Sequence, residues 1–257
     1  MMAWIDLNCD LGESFGAYTI GGDKEVIKHV TSANVACGCH AGDPLVMEHT
    51  VRLAKEHNVS VGAHPGLPDL VGFGRREMKI SPEEAKAYVK YQVGALSAFC
   101  VAQGLRLCHV KPHGALYNMA GRDYALARAI AEGIYEVDPG LVFLALSGSQ
   151  MVRAAGDVGL TCASEVFADR AYNADGSLVA RGTPGAMIHD ADVCVKRIIR
   201  MVQEHKVTAI TGEDIELAPQ SICVHGDTAE AVEFVRNIRQ SLEQKGIELA
   251  NLSRLQK

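Results

Sequence analysis

The chain has little basic character and few aromatic side chains. Its 25 lysines and arginines against 31 acids give a net charge of −6, and aromatics make up 5% of the residues. A surface for nucleic acid or an anionic membrane needs the opposite charge, and no basic stripe interleaved with aromatics is present. Long hydrophobic runs are missing too. None approaches the roughly 18 apolar residues of a membrane span, and the opening "MMAWIDLNCD" lacks the basic and apolar regions of a signal peptide. Prolines number eight, and no Pro/Ser-rich linker, low-complexity tract or internal repeat divides the chain. The eight cysteines follow no secreted disulfide spacing. Several, such as Cys108 and Cys223, sit in apolar strand-like runs, as reduced thiols of a cytoplasmic protein do. Neither G-x-x-x-x-G-K-[ST] nor G-x-G-x-x-G occurs, which excludes the familiar phosphate loops.

What is present is a chain of 257 residues, 48% hydrophobic and 22% charged, long enough for one sizeable core. Short β-branched or apolar runs alternate with longer stretches of helical period. The expected strands are "AWIDLN", "SANVAC", "VSVGAH", "LCHVKP", "LVFLALS", "CASEVFA", "VTAIT" and "SICVHG". Two helices read clearly. In one, Ser81 is the N-cap, Pro82 the first helical residue, Glu84 the partner in a capping box and Gly104 the stop. Asp227 caps the other, with Glu230 three residues on and Val232, Val235, Ile238 and Leu242 along one face. A repeated βα rhythm gives parallel strands covered by helices. Seven or eight such units without a linker predict an α/β fold, closed as a (β/α) barrel of about seven strands, with an open doubly wound sheet as the alternative. One domain is expected over 1–257. Its one interruption, "VFADRAYNADGSLVARGTPGAMI", places Asp175-Gly176 between extended arms, a hairpin signal. This predicts a hairpin near 168–185, either a flap over a site or a plain surface loop.

Polar residues gather where the expected strands end. Asp6, Asn8, Asp10 and Glu13 crowd the end of the first; His40 and Asp43 follow the second, and His64 the third. Lys111, His113 and Asn118 follow the fourth, Ser147 and Ser149 the fifth, Glu165, Asp169 and Arg170 the sixth, and His225 and Asp227 the last. Barrel enzymes carry their sites at this C-terminal rim, so these groups are expected to share one pocket. Burying carboxylates is costly unless water, a cation or a substrate pairs with them. Asp43 and Asp227 read equally well as helix caps, and Cys37, Cys39 and His40 alone are a weak zinc pattern. A glycine beside nearly every cluster suggests backbone amides aimed at an anion.

The segments "IDLNCDLGESFG", "SANVACGCHAGDP", "VGAHPGLPDLVGFGRREM", "HVKPHGALYN" and "EVFADRAYNADGSLVARGTPGAMI", in this order, resemble the LamB/YcsF family from about Ile5 to His225. The resemblance implies a distorted barrel similar to the glycoside hydrolase/deacetylase barrels. It implies ATP-dependent opening of 5-oxoproline to L-glutamate, with Mg²⁺ accompanying ATP and with ADP and phosphate released. It also implies assembly with subunits B and C of a 5-oxoprolinase; self-association of the chain is left open. On that chemistry Lys111 is expected to stabilise phosphoryl oxygens, Asp10 or Glu165 to act as base, and Arg170 to hold the substrate carboxylate bidentately. His40, His64, His113 and His225 are acid–base or metal-ligand candidates. Glu13 and Asp169 complete the substrate-binding set, with Asp6 and Asn8 orienting the others. A rival reading makes Asp10, His40 and His64 the metal triad of an ATP-independent, deacetylase-like amidohydrolase. A third makes the chain a non-catalytic scaffold that presents substrate to its partners.

Overall fold

Along β1 (Trp4–Leu11) the apolar Ile5, Leu7, Cys9 and Leu11 alternate with Asp6, Asn8 and Asp10. Side chains of a strand alternate between its faces, so β1 turns one apolar and one polar face outwards from its plane. In this computed structural model, which describes residues 4–224 and 229–256, the apolar face meets the surrounding helices and the polar face the barrel axis. The acids therefore do not mark the end of the strand. They run along its inner side, and the strand extends three residues beyond the expected "AWIDLN".

After β1 come α1 (Asp23–Val26), β2 (Ser32–Ala36), α2 (Pro44–Glu56), β3 (Ser60–His64), α3 (Pro82–Ala102) and β4 (His109–Val110). Then follow α4 (Gly114–Arg122), α5 (Tyr124–Val137), β5 (Val142–Leu146), α6 (Gln150–Val158), β6 (Cys162–Phe167) and α7 (Ala191–Glu204). The chain closes with β7 (Lys206–Thr208), β8 (Asp214–Glu216), β9 (Ser221–Val224), α8 (Ala229–Gln244) and β10 (Glu248–Leu249). Strands β1 to β6 pair in parallel in chain order. β9 then pairs with both β6 and β1, which closes a seven-stranded barrel. The open-sheet alternative is thereby excluded. β10 adds two residues beside the start of β1.

One expected strand lies elsewhere. "VTAIT" supplies β7, which pairs antiparallel with β8 as a separate hairpin after α7. Only Val207 of its three residues is buried, the pattern of a half-covered ribbon rather than of a strand enclosed on both faces.

The helices form for the reasons read in the sequence. Ser81 Oγ accepts from the Glu84 amide while the Glu84 carboxylate accepts from the Ser81 amide, a cap that contributes about 1 kcal/mol. Val89, Val93 and Leu96 of α3 and Leu126, Ile130 and Ile134 of α5 are buried in the same core. Each contributes about 1.5–3 kcal/mol of burial as an upper figure. Asp227 lies outside the described residues. Val235, Ile238 and Leu242 of α8 are buried.

Between β6 and α7 the chain turns back on itself. Tyr172 bridges Leu178, Arg170 bridges Met187, and the Gly176 amide donates to Asn173 O. These are isolated antiparallel bridges rather than a two-armed ladder. The turn of residues 173–181 leans over the C-terminal rim and lines the main cavity.

Candidate functional site

A column of polar side chains runs through the barrel. At its base Asp6 accepts hydrogen bonds from Thr31 Oγ1 and Ser32 Oγ, each 2.6 Å, and from Ser221 Oγ. One layer up, Asn8 Nδ2 donates to Glu165 Oε1 (2.9 Å) and Ser221 Oγ (2.7 Å), and Asn8 Oδ1 accepts from Asn34 Nδ2 (2.7 Å). Asn34 Nδ2 also donates to Asp10 Oδ1 (2.8 Å), and His109 Nε2 donates to Asn34 Oδ1 (2.7 Å). Burial raises the Asp6 pKa to about 6 in spite of its three hydroxyl donors. Burial and the nearby Lys111 charge lower that of His109 to about 3, so its ring is neutral.

Asp6 and Asn8, expected to orient the other site groups within the substrate-binding set, and Glu165, expected as the alternative to Asp10 as base, are fully buried and do not line the cavity. Their hydrogen bonds go to one another and to neighbouring strands, which makes them braces of the groups above.

Lys111 stands at the top of the column, 2% exposed. Its Nζ lies 2.9 Å from Glu165, 3.1 Å from Asp10, 3.2 Å from Cys223 Sγ and 3.3 Å from Asn8 Oδ1. Burial alone would lower its pKa; Asp10 and Glu165 outweigh that and hold the ammonium well above the ordinary lysine range. Four acceptors surround three N–H groups, so Lys111 has no proton left over for the phosphoryl oxygens it was expected to meet. Glu165 is further held by Tyr117 OH at 2.7 Å.

Above Lys111, four consecutive strand ends deliver Glu13, His40, His64 and His113, whose ligand atoms all lie within 4.8 Å of one another. The bonding of two of these rings decides which nitrogens carry hydrogen. His64 Nδ1 faces Lys111 O at 2.7 Å and His113 Nε2 faces Phe73 O at 2.8 Å. Carbonyls only accept, so these nitrogens donate. The remaining nitrogens, His64 Nε2 and His113 Nδ1, then face each other at 2.9 Å as two lone pairs. Asp10 Oδ2 adds a third acceptor 3.2 Å from His64 Nε2. Neither ring nitrogen of His40 makes a hydrogen bond among the described residues, though both are buried. Burial and the neighbouring histidines keep His40 and His113 well below the ordinary histidine range, hence neutral.

Converging acceptors of this kind repel one another unless a metal ion or a proton sits between them. Rings tethered through their second nitrogen to backbone carbonyls are what metal-binding histidines show. The donor set, three imidazoles and a carboxylate, fits a divalent transition ion. Of the triad expected from sequence, His40 and His64 lie in this cluster with Glu13 and His113, and Asp10 stands beside it, with Oδ2 3.2 Å from His64 Nε2. Two glycines make room for it. A Cβ on Gly66 would collide with His40 Nδ1, and one on Gly74, whose φ is +62°, would stand 2.7 Å from His40 Cβ and 2.9 Å from His113 Cδ2.

A cavity of about 800 Å³ opens above this centre. Asp10, Glu13, His64, Lys111, His113 and Arg170 line it, together with Asn173 and residues 175–181 of the turn. Arg170 is buried and gives Nη2 to Val179 O at 2.5 Å, and among the described residues its Nε has no hydrogen-bond partner. Burial, with Arg181 alongside, lowers its pKa to about 10, which leaves it cationic at neutral pH. Asp169 is buried beside it but does not line the cavity, and His225 lies outside the described residues. Sequence reasoning does not reach Asn34, His109 or Tyr117. The first two carry a readable signal: each polar side chain has the same two-residue parity as a neighbouring inner-face residue, as His109 has with Lys111. Tyr117 sits inside an ordinary helical pattern and offers none.

Residues 5–257 match the model described as the LamB/YcsF family. A protein of Clostridium beijerinckii, named as the A subunit of 5-oxoprolinase, is 64% identical over 251 residues, 98% of this chain and 98% of its own. The crystal structure of the lactam utilization protein from Thermus thermophilus superposes with a TM-score of 0.91 at 49% identity, covering 96% of this chain and 99% of that one. At the level of fold alone, the catalytic domain of a peptidoglycan N-acetylglucosamine deacetylase from Eubacterium rectale superposes with a TM-score of 0.52 at 12% identity, covering 97% and 88%.

Proposed function

Because the chain belongs to the LamB/YcsF family, we propose that it is the A subunit of a 5-oxoprolinase and opens the lactam ring of 5-oxoproline to give L-glutamate. Relatives sharing 64% and 57% of its residues bear that name. The observation that carries the reading is the lining of the cavity. The buried Arg170 lines it together with Asp10, Glu13, His64 and His113. 5-Oxoproline offers a carboxylate to the arginine and an amide to the other groups.

In this reading Arg170 holds the substrate carboxylate and turns the lactam carbon towards Asp10. Asp10 takes a proton from the attacking water; Asn34 and Lys111 hold its Oδ1, and its Oδ2 lies 3.2 Å from His64 Nε2. Glu13, His40, His64 and His113 would hold a divalent ion, which when bound polarises a carbonyl. Lys111, Glu165 and Tyr117 keep Asp10 in place.

Ring closure of glutamate is favourable, so net opening needs coupling. We assign that coupling to ATP with Mg²⁺ in an assembly with subunits B and C. Transfer of the γ-phosphoryl group to the lactam oxygen, with loss of the ring N–H proton, breaks the bond to ADP and gives a cyclic imidate phosphate. Water adds at the same carbon, the C–N bond breaks with its electron pair and a proton passing to nitrogen, and an acyl phosphate remains. A second water releases phosphate and leaves glutamate. A cytoplasmic site for this assembly agrees with eight unpaired cysteines. Among the described residues no helix is long and apolar enough to cross a membrane.

The histidine centre also favours a second reading, amide hydrolysis by the chain alone without ATP. One assay separates the two: glutamate release from 5-oxoproline by the purified chain, with and without its partner subunits and ATP. One ADP per glutamate, in the complete mixture only, is expected. Glutamate from the chain alone without ATP would move the assignment to the second reading, and none under any condition would remove both.

A further inference from the structure

We propose that Phe73 is a positioning residue of the histidine centre, holding the His40 and His113 rings in the arrangement that turns one nitrogen of each towards a divalent ion. This rests on the metal reading of that centre; Phe73 itself supplies no ligand atom.

His40 poses the problem. Metal-binding histidines ordinarily donate their second ring nitrogen to an oxygen, which fixes the ring. His64 and His113 do so, to Lys111 O and Phe73 O. His40 does not: among the described residues neither of its nitrogens has a hydrogen-bond partner, and Glu13 Oε1 stands 3.7 Å from Nε2. Packing orients this ring instead. It lies flat on the His113 ring, with centroids 3.7 Å apart and planes 3° from parallel. The Phe73 ring stands nearly perpendicular to both, 5.8 Å from His40 and 5.3 Å from His113. One residue thus meets His40 through its ring, and His113 through its ring and its carbonyl. Either imidazole would give up contacts with Phe73 on turning.

The second observation is the backbone. Phe73 has a φ of +54°, a region that bulky side chains seldom adopt. Asn58 and His205 share that region, but they follow α2 and α7, where a left-handed residue is an ordinary helix stop. Phe73 lies midway between β3 and α3, away from any helix end. Such strain persists where the surroundings over-determine it, and it gathers at functional sites. The surroundings here pin the loop on both sides of Phe73. The Gly72 and Gly74 amides donate to Asp69 Oδ1 and Asp69 O, each at 2.9 Å, and Arg76 Nε reaches both Asp69 carboxylate oxygens. The Ala115 amide, two residues beyond His113, donates to Gly74 O at 2.8 Å. Arg75 lies over the Phe73 ring at 4.9 Å. A glycine at this position would adopt the same backbone without strain, so the ring is what the left-handed phenylalanine adds.

The test is titration of the metal-free, full-length chain with Co²⁺, followed by calorimetry and by the visible spectrum. Phe73→Gly removes the ring and permits the same backbone. Lost packing and relieved strain act on stability in opposite directions, so the metal-free melting temperature should stay within about five degrees of the wild type. Co²⁺ affinity should fall about tenfold or more, as when the outer contacts of metal ligands are lost. Phe73→Asn, which also tolerates left-handed backbone, should show the same loss and decides the matter if the glycine variant does not fold. Val71→Ala, on the same loop but 92% exposed, should bind as the wild type does. Unchanged affinity in a folded Phe73 variant, or an equal loss in Val71→Ala, overturns the role. So does a loss that comes only with a collapsed melting temperature, which would make Phe73 merely structural. No Co²⁺ binding by the wild type removes the metal reading itself, and the positioning role with it. Glutamate release by the complete assembly is a separate readout and decides the lactam assignment alone.

Discussion

Replacing Lys111 by Met keeps most of the side-chain volume and removes the ammonium from beneath Asp10 and Glu165. Glu165 is fully buried and would retain only Asn8 and Tyr117. Breaking a buried ion pair from one side costs about 3–5 kcal/mol, because the other charge stays desolvated. That is a large share of a typical stability of about 5–15 kcal/mol. Glu165→Gln should cost a comparable amount by stranding Lys111 with Asp10 alone. The double variant, with both charges gone, should cost no more than the worse single one. The cycle therefore predicts a coupling of about 3 kcal/mol or more, read from urea unfolding at pH 7 by linear extrapolation. Single effects that simply add, or a Lys111→Met midpoint equal to the wild type, would refute the view that Lys111 is saturated by the column beneath it.

Three further outcomes are expected. The Asp6 pKa is raised from 3.8 to about 6, so the folded state keeps this proton to higher pH than the unfolded chain does. The stability it contributes is complete below pH 3.8 and is lost as pH rises through 6, about 3 kcal/mol in all. Asp6→Asn should flatten that part of the profile, and parallel profiles in denaturant series from about pH 4 to pH 7 would refute it. The chain should bind one Co²⁺ with a tetrahedral-type visible spectrum and lose it in His113→Ala; a spectrum that survives the substitution would disprove the four-residue centre. Gly66→Ala should displace His40 and weaken that binding by roughly 10–100-fold, with the fold intact by circular dichroism; unchanged affinity would show that the cradle does not hold His40.

Much of the fold is legible because the outer faces of the strands follow simple chemistry. Apolar residues at every second position and capped amphipathic helices in alternation suffice for a parallel barrel. "LCHVKP" reads as a six-residue strand, yet only His109 and Val110 lie in regular pairing. Cys108 and Lys111 continue the run by single bonds to Val61 and Ala63, which period alone does not distinguish from a ladder. "VTAIT" misleads because β-branched composition does not tell an enclosed strand from a surface hairpin. At the site, the sequence brings Asp10, His40, His64, Lys111 and Arg170 to one rim. It does not separate rim from interior: Asp6, Asn8 and Glu165 have the same residue types as the groups above them, and only barrel closure sets their depth. Metal-ligand pairing is obscured for a similar reason, since Glu13 and His113 become neighbours only through strands that each contribute one residue.

The polar column has a consequence for how the chain reaches this state. Asp6 meets Ser221, and Lys111 meets Cys223, only when β9 slides between β1 and β6. Before that long-range pairing the inner carboxylates and the ammonium can stay hydrated, so the cost of drying them falls on barrel closure. A slip of one residue in any strand would turn these groups outwards against the helices and bring aliphatic side chains to the axis. The interior that serves chemistry thus also acts as a proofreading device for alignment, accepting a single register and rejecting its neighbours.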